Sequence, residues 1–142
     1  MIQRIQTLYL FLSLVCAVLL FFLPVWQGAI SEGSMNEIGG GTHPFLMVVA
    51  GLLVVFHLVT IFSFKNRKRQ KQLCTGNILL YFIFLLLALL VIQLESQFFQ
   101  HVNMMEFRLG MLLPEAGVVL NVLARRAISQ DEALVRSMDR LR

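Results

Sequence analysis

The sequence predicts an all-α integral membrane protein: an antiparallel four-helix transmembrane bundle with a short cytoplasmic C-terminal helix. Three observations carry that expectation. Four apolar runs cover about 7–26, 45–64, 73–94 and 107–124. A dense basic block, Phe64–Leu73, is pinned between the second and third. Apolar residues make up 58% of the chain and charged residues 14%, with a mean hydropathy of +0.77. So little charge cannot clothe a soluble globule.

The first run, Thr7–Trp26, has the length that spans a ~30 Å hydrocarbon core as a helix. Tyr9 and Trp26 stand near its ends, where aromatic belts sit. Pro24 falls in its last turn, where a missing N–H costs little. The run outlasts a signal-peptide core, and bulky Val25, Trp26 and Gln27 occupy the place of a small-residue cleavage site. It therefore reads as an uncleaved span. The segment from Gln27 to Pro44, rich in Gly and Ser, reads as a flexible loop.

Phe45–Phe64 is the second run, interrupted by His57 and Thr60. Lys65, Arg67, Lys68, Arg69 and Lys71 follow. Leu73–Leu94 is the third run, with Asn77 near its start. Glu95–Glu106 is a polar loop, and the aromatic and Met-rich stretch Phe98–Phe107 fits the interface or a cap on the bundle. Phe107–Ala124 is the weakest run, containing Pro114, Glu115 and Asn121. Arg125 and Arg126 close it. The tail from 127 to 142 reads as a second unit, an amphipathic helix. Ser129 to Glu132 fits a capping box, and Leu134, Met138 and Leu141 form one apolar stripe. That stripe fits either the membrane surface or a docked partner, and a plain solvated extension of the fourth span is the third reading of the tail.

Charge sets the orientation. With four spans, all the Lys and Arg except Arg108 share one side, out of 12 in the chain. The positive-inside rule puts both termini and the 65–72 loop in the cytoplasm. The same residues are candidates for contacts to anionic lipid headgroups. They flank apolar runs instead of covering a soluble face, so the net charge of +4 does not point to nucleic acid. Cys16 and Cys74 sit at different depths and form no metal or disulfide pattern.

Four intramembrane polar residues are candidates for function: Glu115, His57, Asn77 and Asn121. An ionisable group deep in a span is expensive and invites a functional reading. His57 and Glu115 differ by only about 4–5 Å in expected depth, so a contact for proton or cation passage is one possibility. The other is structural, since buried polar groups also tie helices together, and a fourth span that begins later would leave Glu115 near the outer interface. No nucleophile–base set, metal motif or phosphate loop is present, and Ser13 and His57 on separate spans do not argue for a serine protease. No cofactor and no enzyme activity are expected.

The opening M-I-Q-R-I-Q-T-L-Y-L, the central F-K-N-R-K-R-Q and the closing L-A-R-R-A-I-S-Q-D-E-A-L-V-R-S-M-D-R-L-R resemble a Bacteroidota family of small four-span membrane proteins, domain of unknown function 4293. The resemblance covers essentially the whole chain and implies a bacterial inner-membrane address. It supplies no activity. The first functional expectation is an accessory, assembly or scaffold subunit. It would act through a basic cytoplasmic face, Lys65, Arg67, Lys68, Arg69, Lys71, Arg125 and Arg126, with Leu134, Met138 and Leu141 docking to a membrane-protein partner or a second copy. The alternative is a small oligomeric proton- or cation-coupled transporter using Glu115 and His57.

Overall fold

The computed structural model describes residues 2–30, 34–96 and 106–139. Four helices dominate them: α1 (Ile2–Leu19), α2 (Pro44–Phe62), α3 (Arg67–Ser96) and α4 (Leu112–Asp139). Three strands were not expected: β1 (Pro24–Ile30), β2 (Ser34–Gly39) and β3 (Glu106–Phe107). The chain is therefore mostly helical and not all-α.

The helices close into a ring. α1 packs on α2 and α4, and α3 packs on the same two. Neighbours run antiparallel: Ser13 meets Gly117 while Leu10, earlier in α1, shares a cluster with Ala124 and Ile128, later in α4. Two stretches, Pro44–Lys65 and Arg67–Leu94, are long and apolar enough to cross a membrane, and Ile5–Leu19 is apolar but shorter.

The first run does not stay helical to Trp26. α1 stops at Leu19, and Pro24 opens a strand. A residue before proline is pushed away from helical geometry, so the chain leaves α1 ahead of Pro24. β1 then pairs antiparallel with β2 and with β3, in the order β2-β1-β3. Trp26 lies opposite Ile38 on one side and Phe107 on the other. Trp26 is buried, at 1% exposure, so it belongs to the core and not to an aromatic belt. Where a flexible loop was expected between 27 and 44, the described residues include two paired strands, β1 and β2. Gly40 donates its N–H to the Leu20 carbonyl, and a Cβ there would stand 2.6 Å from that oxygen. Only glycine allows so close a backbone approach.

Beneath the sheet lies the larger apolar cluster, built from Trp26, Ile38, Leu46, Leu53, Phe84 and their neighbours. A smaller one, Leu10, Cys74, Ala124 and Ile128, fills the other end of the ring.

The 65–72 block is helical and not a loop. After a short 3₁₀ turn at Ser63–Lys65, Asn66 caps α3 by accepting the Arg69 N–H at 3.2 Å. An Asn at that position satisfies a first-turn donor that has no helical partner. The tail is not a separate unit either. α4 runs unbroken to Asp139, so Ser129 to Glu132 lie mid-helix and form no cap. Leu134 is exposed on this extension and Met138 lies within it, while Leu141 and residues 97–105 of the Met-rich stretch fall outside the described residues.

Candidate functional site

One polar side chain from each helix meets at the centre of the ring. Ser13 comes from α1, His57 from α2, Tyr81 from α3 and Asn121 from α4, and all four are fully buried. Apolar side chains cover most of each helix, so these few polar positions must find one another to avoid an unsatisfied buried group.

His57 Nδ1 donates to the Leu53 carbonyl at 2.8 Å, one turn back on its own helix. That leaves Nε2 as an acceptor. Ser13 Oγ donates to it at 2.9 Å, and Asn121 Nδ2 approaches it at 3.2 Å. Asn121 Nδ2 also donates to Ser13 Oγ at 2.7 Å and to the Gly117 carbonyl at 2.9 Å. Tyr81 donates its hydroxyl to the Ser13 carbonyl at 2.8 Å, and its ring meets the His57 ring edge-on, with centroids 5.6 Å apart. The Tyr81 ring lies where a Cβ of residue 117 would stand. Gly117 is what lets α3 and α4 close over the cluster.

A second polar layer lies one turn further along α2. Thr60 Oγ1 donates to the Phe56 carbonyl at 2.7 Å and accepts from Asn77 Nδ2 at 3.0 Å. Gln70 Nε2 donates to the Thr60 carbonyl at 3.3 Å. The amide oxygens of Gln70, Asn77 and Asn121 are buried without a donor among the described residues. This half of the interior is thus rich in acceptors.

The expected candidates divide. His57 and Asn121 come together, and Asn77 joins Thr60 in the adjoining layer. The two Asn side chains are parts of neighbouring layers and do not bond to each other. Glu115 stands apart. α4 begins at Leu112 and not at 107, which puts Glu115 in the first helical turn, exposed. There its charge faces the positive end of the helix dipole, and Pro114 occupies a first-turn position that needs no N–H. Asn121 lies six residues deeper, about 9 Å along the axis. The Glu115–His57 contact that similar depth would have allowed does not form, and His57 meets Ser13 instead. Ser13, Tyr81, Thr60 and Gln70 were not among the candidates. Ser13, Tyr81 and Thr60 are polar groups inside apolar runs, which is the available signal, whereas Gln70 lies within the basic block and carries none.

A serine donating to a histidine whose other nitrogen is held by an acceptor has the outline of an activated nucleophile. Here Ser13 Oγ is already surrounded by His57, Tyr81, Asn121 and the Gly117 carbonyl, all within 3.3 Å. Ser13 itself has no exposed surface. The arrangement acts as a hydrogen-bonded tie across four helices. Among the described residues no three His, Cys, Asp or Glu side chains gather in a metal-holding group.

The basic residues form a second region at the far end of the ring from the sheet. α3 starts with Arg67, Lys68, Arg69 and Lys71 and has no acid in its first turn, an unfavourable load at the positive end of a helix. α4 supplies the counter-charge. Arg67 Nη2 lies 3.1 Å from Asp131 Oδ2, and Lys71 Nζ lies 2.5 Å from Glu132 Oε2. Arg67 Nη1 also donates to the Asp131 carbonyl at 3.3 Å. Lys65, Lys68, Arg69, Arg125 and Arg126 face outward.

These features define a small, mostly helical protein with two helices fit to cross a membrane, a buried polar tie and a basic end. The chain belongs to the family described as Domain of unknown function (DUF4293), whose profile matches residues 2–141. No curated protein and no solved structure matches it.

Proposed function

We propose that this chain is a multi-pass protein of a bacterial cytoplasmic membrane, with both termini and the 65–72 segment on the cytoplasmic side. In this reading it has no catalytic activity. It serves as an accessory or scaffold subunit that binds a membrane-protein partner through the charged ends of α3 and α4. The observation that carries the reading is the pair of ion contacts, Arg67–Asp131 and Lys71–Glu132. They fasten the tail to the basic block and hold Lys68, Arg69, Arg125 and Arg126 on one preorganised surface. Preorganisation lowers the ordering cost of association.

Membrane embedding is supported by large apolar side chains that point away from the interior on every helix. Phe11 is 56% exposed, Val55 54%, Leu86 66% and Val119 56%. Apolar patches of that extent meet lipid or another protein. The one-sided distribution of Lys and Arg supports the orientation.

The test is affinity purification of the full chain in mild detergent. A membrane protein should co-purify, and the Asp131→Asn/Glu132→Gln variant should lose it. A monodisperse chain with no partner, unchanged by deleting residues 131–142, would overturn the proposal. The transporter reading is the weaker one. Glu115 and His57 sit apart, and the interior between His57 and the sheet is lined by apolar side chains such as Leu46, Leu53 and Phe84.

A further inference from the structure

Between the charged ends of α3 and α4 lies a hollow of about 420 Å³. Its cations are Lys68, Lys71 and Arg125, its hydroxyls belong to Thr75 and Ser129, and Glu132 is its acid. Glu132 is already held by Lys71 at 2.5 Å, and Thr75 already donates to the Lys71 carbonyl at 3.1 Å. Lys68, Arg125, the Gln72 amide and the Ser129 hydroxyl remain as donors, with no hydrogen bond elsewhere among the described residues. Two cations and a hydroxyl around a concave space suit an anionic oxygen group, and a guanidinium suits phosphate above all.

The depth of the hollow identifies where that phosphate comes from. On α3 the exposed apolar surface begins at Leu79, one turn beyond Thr75. On α4 it includes Val119, and the first cations after it are Arg125 and Arg126. An adjoining hollow of about 400 Å³ shares Arg125 and Ser129 and is lined on its apolar side by Val122. A phosphate in the first space therefore has an apolar neighbour on the side where an acyl chain would run. We infer that this groove holds the headgroup of one anionic phospholipid at the cytoplasmic surface, with Lys68, Arg125 and Ser129 on its phosphate. This rests on the membrane embedding proposed above.

The test uses the purified full chain. Its insertion into phosphatidylcholine liposomes is first checked by resistance to carbonate extraction. Retention of phosphatidylglycerol against phosphatidylcholine is then measured by native mass spectrometry. One phosphatidylglycerol per chain should be retained preferentially. The Lys68→Gln/Arg125→Gln variant should lose that preference by about tenfold or more, whereas Lys65→Gln/Arg69→Gln, which removes two cations outside the groove, should lose it by less than about threefold. Equal losses in the two variants would overturn the site in favour of diffuse surface attraction. Equal binding of soluble glycerol phosphate would overturn the lipid assignment. A chain extracted by carbonate would sink the membrane reading and the inference together, while an inserted chain with no lipid preference would sink the inference alone.

Discussion

The two halves of the helix ring solve the burial problem in opposite ways. Towards the sheet, Trp26, Ile38, Leu46, Leu53 and Phe84 pack by shape. Towards the charged end, Ser13, His57, Tyr81, Asn121, Thr60, Asn77 and Gln70 meet through hydrogen bonds. Apolar packing tolerates small rotations of a helix. A hydrogen bond with its narrow range of distance and angle does not. The sheet half therefore supplies bulk cohesion, and the polar half sets which way each helix faces.

The largest effect should come from the sheet half. Trp26→Ala removes the biggest side chain of that cluster and should cost about 3–5 kcal/mol. Denaturant unfolding of the detergent-solubilised chain measures it. A loss under about 1 kcal/mol would mean that the sheet is not part of the cooperative core.

Gly117→Ala comes next. The new methyl meets the Tyr81 ring, which is held in place by its bond to the Ser13 carbonyl. Overpacking of this kind costs about 1–3 kcal/mol. The same substitution at the exposed neighbour, Glu115→Ala, should do much less. Exchange of the Tyr81 environment, read by tyrosine fluorescence or NMR, should follow the Gly117 variant only.

The smallest effect is expected at Glu115→Gln. An exposed charge in a first helical turn contributes about 0.3–1 kcal/mol, so stability should barely move. A drop of several kcal/mol, or a changed His57 signal in NMR, would join Glu115 to the polar half and undo the division drawn here.

Much of the helical plan was legible in the residues. The runs around α2 and α3 are long and uniformly apolar, and composition alone marks them. The strand at Pro24–Ile30 was hidden because Val25 and Trp26 continue the apolar run without a polar break. Pro24 was the usable sign, since the residue ahead of it resists helix. The helical state of the basic block was hidden by its charge. Its counter-charges, Asp131 and Glu132, lie more than sixty positions away. Of the buried tie, His57 and Asn121 could be picked out as polar residues in apolar surroundings. Their partners could not, because pairing across helices depends on the rotation of each helix about its axis. The depth of Glu115 turns on where the last helix starts, and it starts at Leu112, five residues after the apolar run does.

The unbroken path of α4 gives the molecule a crankshaft. Asp131, clasped by Arg67, and Asn121, hydrogen-bonded to Ser13, sit on one rigid helix about 15 Å apart. A rotation of α4 about its axis moves both contacts together. The small donor–acceptor circle at the centre would register it, and through Ser13 and His57 so would α1 and α2.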